Sequence, residues 1–195
     1  MFMDIFKNIP YGVKEIITNR MLATVAISPA GALIPLLDTG AIVGIWGNML
    51  YKIAQYHNVT LTGEECTKII TACGSSVLGY LGGSKILNSL LNFIPGVGTL
   101  GAMAGNVVFN GYYTYAIGKA FHLMLEDYDI NGRTILEISK ILIRLFVPIP
   151  SLGTLKGIYQ VMKDQIWTLN INWKQCYEYT WYKILRTEAY TVYKR

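Results

Sequence analysis

Apolar residues in this chain come in long blocks separated by Pro-Gly clusters, and sustained period-two alternation is absent apart from a weak trace around Trp167–Trp173. Blocks of that kind predict helices with little strand. A short amphipathic lead-in occupies residues 1–11 and ends at Pro10. A helix is predicted over 13–27, followed by a breaker at 28–35 (SPAGALIP). Pro35 suits the first turn of the next helix, where its missing N–H costs nothing, and that helix runs to about Tyr56.

Two capping boxes punctuate the rest of the chain. Thr62 with Glu65, and Thr134 with Glu137, each place a hydroxyl and a carboxylate three residues apart before an apolar run. The first predicts a helix to about Cys73 or beyond, ending at Gly79, Gly82 and Gly83; the second predicts one to about Phe146. Further helices are predicted over 84–93, from Thr99 to about Leu125, and from about Leu155 to Thr168. The breakers before the last two share the ending P-x-x-G-T-L, at Pro95–Leu100 and Pro150–Leu155, read here as one turn chemistry used twice. The aromatic, basic tail from Trp173 is helix-compatible. The architecture is an all-α bundle of apolar hairpins, one domain over 1–195, with a core over 20–126 and additional helices over 133–195.

Charge is scarce where the helices are apolar. Residues 86–118 carry no charged side chain, and neither do 21–37 or 39–51, with Asp38 alone between the last two. Charged residues make up 15% of the 195-residue chain, against about 25% in an average soluble domain. A membrane-crossing helix needs about 20 apolar residues, and these stretches are long enough but rich in Gly, Pro, Asn and Tyr. Gly40 with Gly44, and Gly101 with Gly105, have the spacing that lets helix backbones approach closely in a membrane. Two readings stand: hairpins embedded in a bilayer, or a tight bundle whose central helices are apolar all round because they are fully buried. Tyr112, Tyr113 and Tyr115 fit either one, as rings at a membrane interface or as a cover for the bundle with polar tips in water. Asp38 is either a functional intramembrane carboxylate or a first-turn surface residue favoured by the helix dipole.

The net charge of +5 is spread without a Lys/Arg run, which excludes nucleic acid as the expected partner and leaves membrane lipid. Three cysteines, Cys66, Cys73 and Cys176, make no disulfide framework; the first pair lies roughly 10 Å apart by helix rise. The expected location is a reducing one, on the cytoplasmic side of a membrane.

No catalytic, cofactor-binding or metal-binding constellation emerges. Asp127, Asp129, Asn131 and Gly132 imitate the start of a calcium loop, but its twelfth position is Ile138. His57 and His122 stand far apart with no zinc spacing. GGSK at 82–85 lacks the phosphate-loop pattern.

Two blocks resemble a known family. ISPAGALIPLLDTGAIVGIWGNMLYKIAQYHNVTLT and, more specifically, LLNFIPGVGTLGAMAGNVVFNGYYTYAIGKAFHLMLE are similar to the YcjF-like bacterial domain of unknown function, often fused to or encoded beside GTPases. The motif residues are Pro95, Gly96, Gly98 and Thr99, the small residues Gly101 and Gly105, and Thr114 with Gly118 in T-Y-A-x-G-K-A. The first block has Leu33 where the family carries an acidic residue, and 133–195 fall outside the resemblance. What it implies is a helical, often membrane-associated protein linked to a GTPase; with no catalytic constellation in the sequence, the expected role is that of a non-enzymatic membrane adaptor or partner. A pore-forming or membrane-disrupting effector and a bundle enclosing a lipid-like ligand are the alternatives, and association with a second copy is compatible with all three.

Overall fold

The computed structural model describes residues 5–33, 39–73, 98–146 and 150–168; within its helices the side chains of 25, 27–33, 39, 98–108, 152 and 162–168 are not described. Six helices are described: α1 (Tyr11–Leu33), α2 (Thr39–Tyr56), α3 (Gly63–Ala72), α4 (Gly98–Asp127), α5 (Ile135–Leu145) and α6 (Leu152–Thr168). No strand occurs among the described residues. The chain is all-α. It divides into two compact units, Met1–Met162 and Lys163–Arg195. The helix packing and the sites belong to the first unit.

α4 is the central element, and α1, α2 and α5 pack on it. Asn110, the run 112–117, Ala120, Phe121, His122 and Met124 are all buried, so the helix is covered over most of this stretch, with Lys119 and Leu123 part-exposed. Its neighbours contribute single apolar stripes: Val13, Ile17 and Met21 from α1, and Ile42, Trp46, Met49, Leu50 and Ile53 from α2. Each such side chain contributes about 1.5–3 kcal/mol relative to exposure. Ile17 meets Gly118 while Thr24 meets Thr114, so α1 runs antiparallel to α4. Arg20 bonds Asn48, and Gly12 abuts Tyr56, so α2 runs back along α1 and therefore parallel to α4.

Both capping boxes form. Thr62 Oγ1 accepts from the Glu65 amide at 3.2 Å, and Glu65 Oε2 accepts from the Thr62 amide at 2.8 Å. Thr134 and Glu137 repeat this at 3.3 and 2.8 Å. α2 ends on Asn58 at φ 57°, with the Val59 amide donating to the Ala54 carbonyl, a left-handed stop that asparagine tolerates well.

The first breaker behaves differently from expectation. α1 continues through Ser28 and Pro29 to Leu33. An interior proline costs about 3 kcal/mol locally. The α1–α4 pairing is the most extensive among the described helices, and burial along it offsets that cost. α6 begins at Leu152, three residues before the expected start, because Ser151 Oγ accepts from the Thr154 amide at 3.0 Å and caps the turn. The predicted helix over 84–93 lies outside the described residues, as do Gly79, Gly82, Gly83 and the tail from Trp173.

Candidate functional site

A polar knot sits in the middle of the core. Trp46 Nε1 donates to Thr114 Oγ1 at 2.9 Å, and Thr24 Oγ1 lies 3.1 Å from the same oxygen. Thr114 Oγ1 donates to the Asn110 carbonyl at 2.7 Å. Thr24 Oγ1 also lies 2.8 Å from the Met21 carbonyl, so its single proton serves either that carbonyl or Thr114 Oγ1, while Thr114 accepts from Trp46 and donates to Asn110. Thr24 and Thr114 are both 0% exposed, so the knot fixes α1, α2 and α4 at one level.

That level divides the bundle by charge. On one side lie Lys14, Glu15 and Arg20 of α1, Lys52 of α2, and Lys119, Glu126 and Asp127 of α4. On the other, α1 from 21 to 33, α2 from its start at Thr39, and α4 from Gly98 to Tyr113 contain no charged residue. The helix directions bring these three uncharged ends to the same end of the bundle. Gly40, Ala41 and Gly44 in the first turns of α2 are exposed there. Among the described residues, no helix is long and apolar enough to cross a membrane.

At the opposite end, His57 Nε2 lies 2.9 Å from His122 Nδ1. One proton occupies that line. With His57 donating, His122 carries its own proton on Nε2, which faces Glu126 Oε1 at 3.5 Å, outside good hydrogen-bond distance. His122 is 0% exposed. Burial first, and the neighbouring His122 second, hold the His57 pKa below its ordinary value, against a smaller opposing pull from Glu126.

A cavity of about 430 Å³ opens on the face of α4 turned toward α5 and α6. α4 lines it with Tyr112, Tyr115, Ala116, Lys119, Ala120 and Leu123. Leu145 of α5, with Ser151 and Thr154 at the start of α6, complete the described lining. Lys119 Nζ donates to Tyr115 Oη at 3.3 Å and sits 5.7 Å from the centre of that ring. Tyr115 Oη in turn donates to the Ile5 carbonyl at 2.6 Å.

The residues singled out by sequence distribute unevenly. Thr114 and Gly118 are core positions at the α1–α2–α4 crossing. A Cβ on Gly118 would lie 2.7 Å from Ile17 Cγ1 and 3.1 Å from Met49 Sδ. Gly98 and Thr99 open α4, and Gly101 and Gly105 follow in it, with side-chain surroundings outside the described residues. Asp38, Pro95 and Gly96 also lie outside the described residues. Gly40 and Gly44 are not close-approach positions among the described residues, since a Cβ on either meets nothing within 4 Å; Gly47, against Thr67 Oγ1 at 2.5 Å, is one. Tyr112, Tyr113 and Tyr115 are 2, 4 and 6% exposed, so they are core rings and not an outer cover. Phe6 meets Tyr115 edge-on, and Phe146 meets Tyr113. Asp129 is engaged in its own turn, accepting from the Asn131 amide at 3.0 Å. Local sequence signals neither the histidine pair nor the cavity, because both join residues distant along the chain.

No protein-family model matches the chain, and no solved structure matches it. Over 126 residues it is 32% identical to magnetosome membrane protein 22 of Magnetospirillum gryphiswaldense. The match covers 65% of this chain and 62% of that protein.

Proposed function

We propose that the protein is a non-enzymatic, membrane-associated helical protein that docks on a bilayer through the uncharged end of the α1–α2–α4 bundle. The single observation that carries this is the sorting of charge along the bundle. Three helices present uncharged ends together, and all the charge of the same helices lies at or beyond the Arg20 level. An end without charged side chains can be placed below the headgroups without desolvating a charge, and the basic excess of the chain favours anionic lipid. The similarity to a protein named for the magnetosome membrane supports the same reading. The YcjF-like resemblance over residues 20–126 supports a GTPase as the partner of a membrane adaptor, and cysteines without a disulfide framework support the cytoplasmic side.

The test is flotation with vesicles containing anionic lipid, followed by an alkaline carbonate wash. The parent protein is expected to float. Ala41→Glu with Gly44→Glu places two carboxylates at exposed positions of the uncharged end and is expected to abolish flotation with the helical circular dichroism unchanged. A parent that stays at the bottom of the gradient overturns the membrane reading. A double variant that floats like the parent overturns the docking face.

A further inference from the structure

The cavity beside α4 is a different feature from the uncharged end, and its chemistry is specific. Its volume of about 430 Å³ lies toward the small end of the roughly 300–1,000 Å³ typical of ligand pockets. Ala116, Ala120, Leu123 and Leu145 give it an apolar wall. The Tyr115 hydroxyl is already engaged by Ile5 and Lys119.

Lys119 is the group left over. Its hydrogen bond to Tyr115 is long at 3.3 Å, and no carboxylate among the described residues lies within ion-pair distance of it. A half-buried ammonium against an apolar wall is costly without an opposing charge. An ammonium carries three N–H donors, and Tyr115 Oη is the one acceptor described for Lys119. On the far wall, the hydroxyls of Ser151 and Thr154, 2.9 Å apart, offer a further polar contact.

We propose that this cavity binds a single-chain amphiphile with an anionic head, a long-chain carboxylate. The head pairs with Lys119 Nζ, and the chain lies along Ala116, Ala120, Leu123 and Leu145. The volume suits one chain, and Lys119, the one cation of the described lining, suits one negative charge. The inference is independent of bilayer docking, since it uses a different face and different residues.

The test uses the full chain and the fluorescence of cis-parinaric acid, displaced by palmitate or by the uncharged hexadecanol. Palmitate is expected to displace the probe more effectively than hexadecanol. Lys119→Gln keeps most of the stem and removes the charge; it is expected to weaken cis-parinarate, titrated directly, and palmitate at least tenfold each, to leave hexadecanol unchanged, and so to abolish the advantage of palmitate over hexadecanol. Leu123→Trp fills the cavity from a half-buried position and is expected to abolish binding of both, with circular dichroism reporting the fold. Vesicle flotation of Lys119→Gln is expected to match the parent, so the two readings fail separately. The inference is overturned if the parent fails to bind the probe, if palmitate and hexadecanol compete equally, or if Lys119→Gln binds palmitate as the parent does. Binding insensitive to Leu123→Trp also overturns it, because it places the ligand elsewhere.

Discussion

The indole Nε1 of Trp46 donates to Thr114 Oγ1 at 2.9 Å across the α2–α4 interface, with both residues buried from solvent. The contact joins two helices by a buried polar bond, and it sits where the charged and uncharged parts of the bundle meet. Burying an N–H without an acceptor costs about 1–3 kcal/mol. Thr114→Val preserves shape and removes the acceptor, so it is expected to destabilise by that amount, read as a lower urea midpoint at constant slope. Thr114→Ser keeps the oxygen and is expected to recover most of the bond, losing only the methyl.

Two glycines in helices are expected to respond in opposite directions to the same change. At Gly118 an added Cβ meets the fully buried Ile17 at 2.7 Å, so Gly118→Ala forces the α1–α4 contact apart and costs about 1–3 kcal/mol from overpacking, partly offset by helix propensity. At Gly44 nothing lies within 4 Å, and Gly44→Ala is expected to stabilise by about 0.5–1 kcal/mol through backbone entropy. Thermal melts of the two variants beside the parent check the pair.

These residues also separate what local sequence carries from what it does not. The capping boxes at Thr62 and Thr134 are legible because the signal is local: a hydroxyl, a carboxylate and three residues between them. The ends of α4, at Gly98 and Asp127, are legible to within two residues for the same reason, because a Pro-Gly breaker precedes the helix and an Asp- and Asn-rich turn follows it. Pro29 misleads because a local breaker signal says nothing of tertiary packing, and α1, paired with α4, continues through it to Leu33. Gly40 and Gly44 have the spacing of a helix-contact motif, yet the contacts fall on Gly47 and Gly118, whose partners Thr67 and Ile17 lie on other elements. Composition alone leaves the three tyrosines of α4 open between surface and interior. Their burial depends on the lead-in around Phe6 and the end of α5 at Phe146, which local sequence does not reveal.

The cysteines of the first unit are expected to be inert in the folded protein. Burial pushes the Cys66 thiol up to about 12 and the Cys73 thiol up to about 11, so the nucleophilic thiolate is scarce at neutral pH. Cys73 Sγ also lies 3.7 Å from the Ser139 carbonyl, as its donor, at the α3–α5 contact. In a Cys176→Ser background, iodoacetamide at pH 8 is expected to label neither cysteine natively and both in denaturant. Rapid native labelling would mean that α3 opens from α5.

His57 gives stability a distinct dependence on pH. The ordinary His57 value is 6.5, and in the folded protein it is lower, chiefly through burial and then through His122. As pH falls below about 6.5 the unfolded chain takes up a proton that the folded one resists, so stability drops with falling pH in that window. Above it, His57 is neutral in both states and contributes no slope. A second decline is expected below about 4.5 from Glu65 and Glu137. Their carboxylates are held below the usual value, chiefly by accepting the backbone N–H of Thr62 and of Thr134, respectively. That stabilisation is present above 4.5 and is lost as pH falls through the lower folded values. His57→Gln is expected to flatten the first decline and leave the second, as followed by melting temperature from pH 8 to pH 3. If the decline below 6.5 persists unchanged in His57→Gln, the His57–His122 contact does not control it.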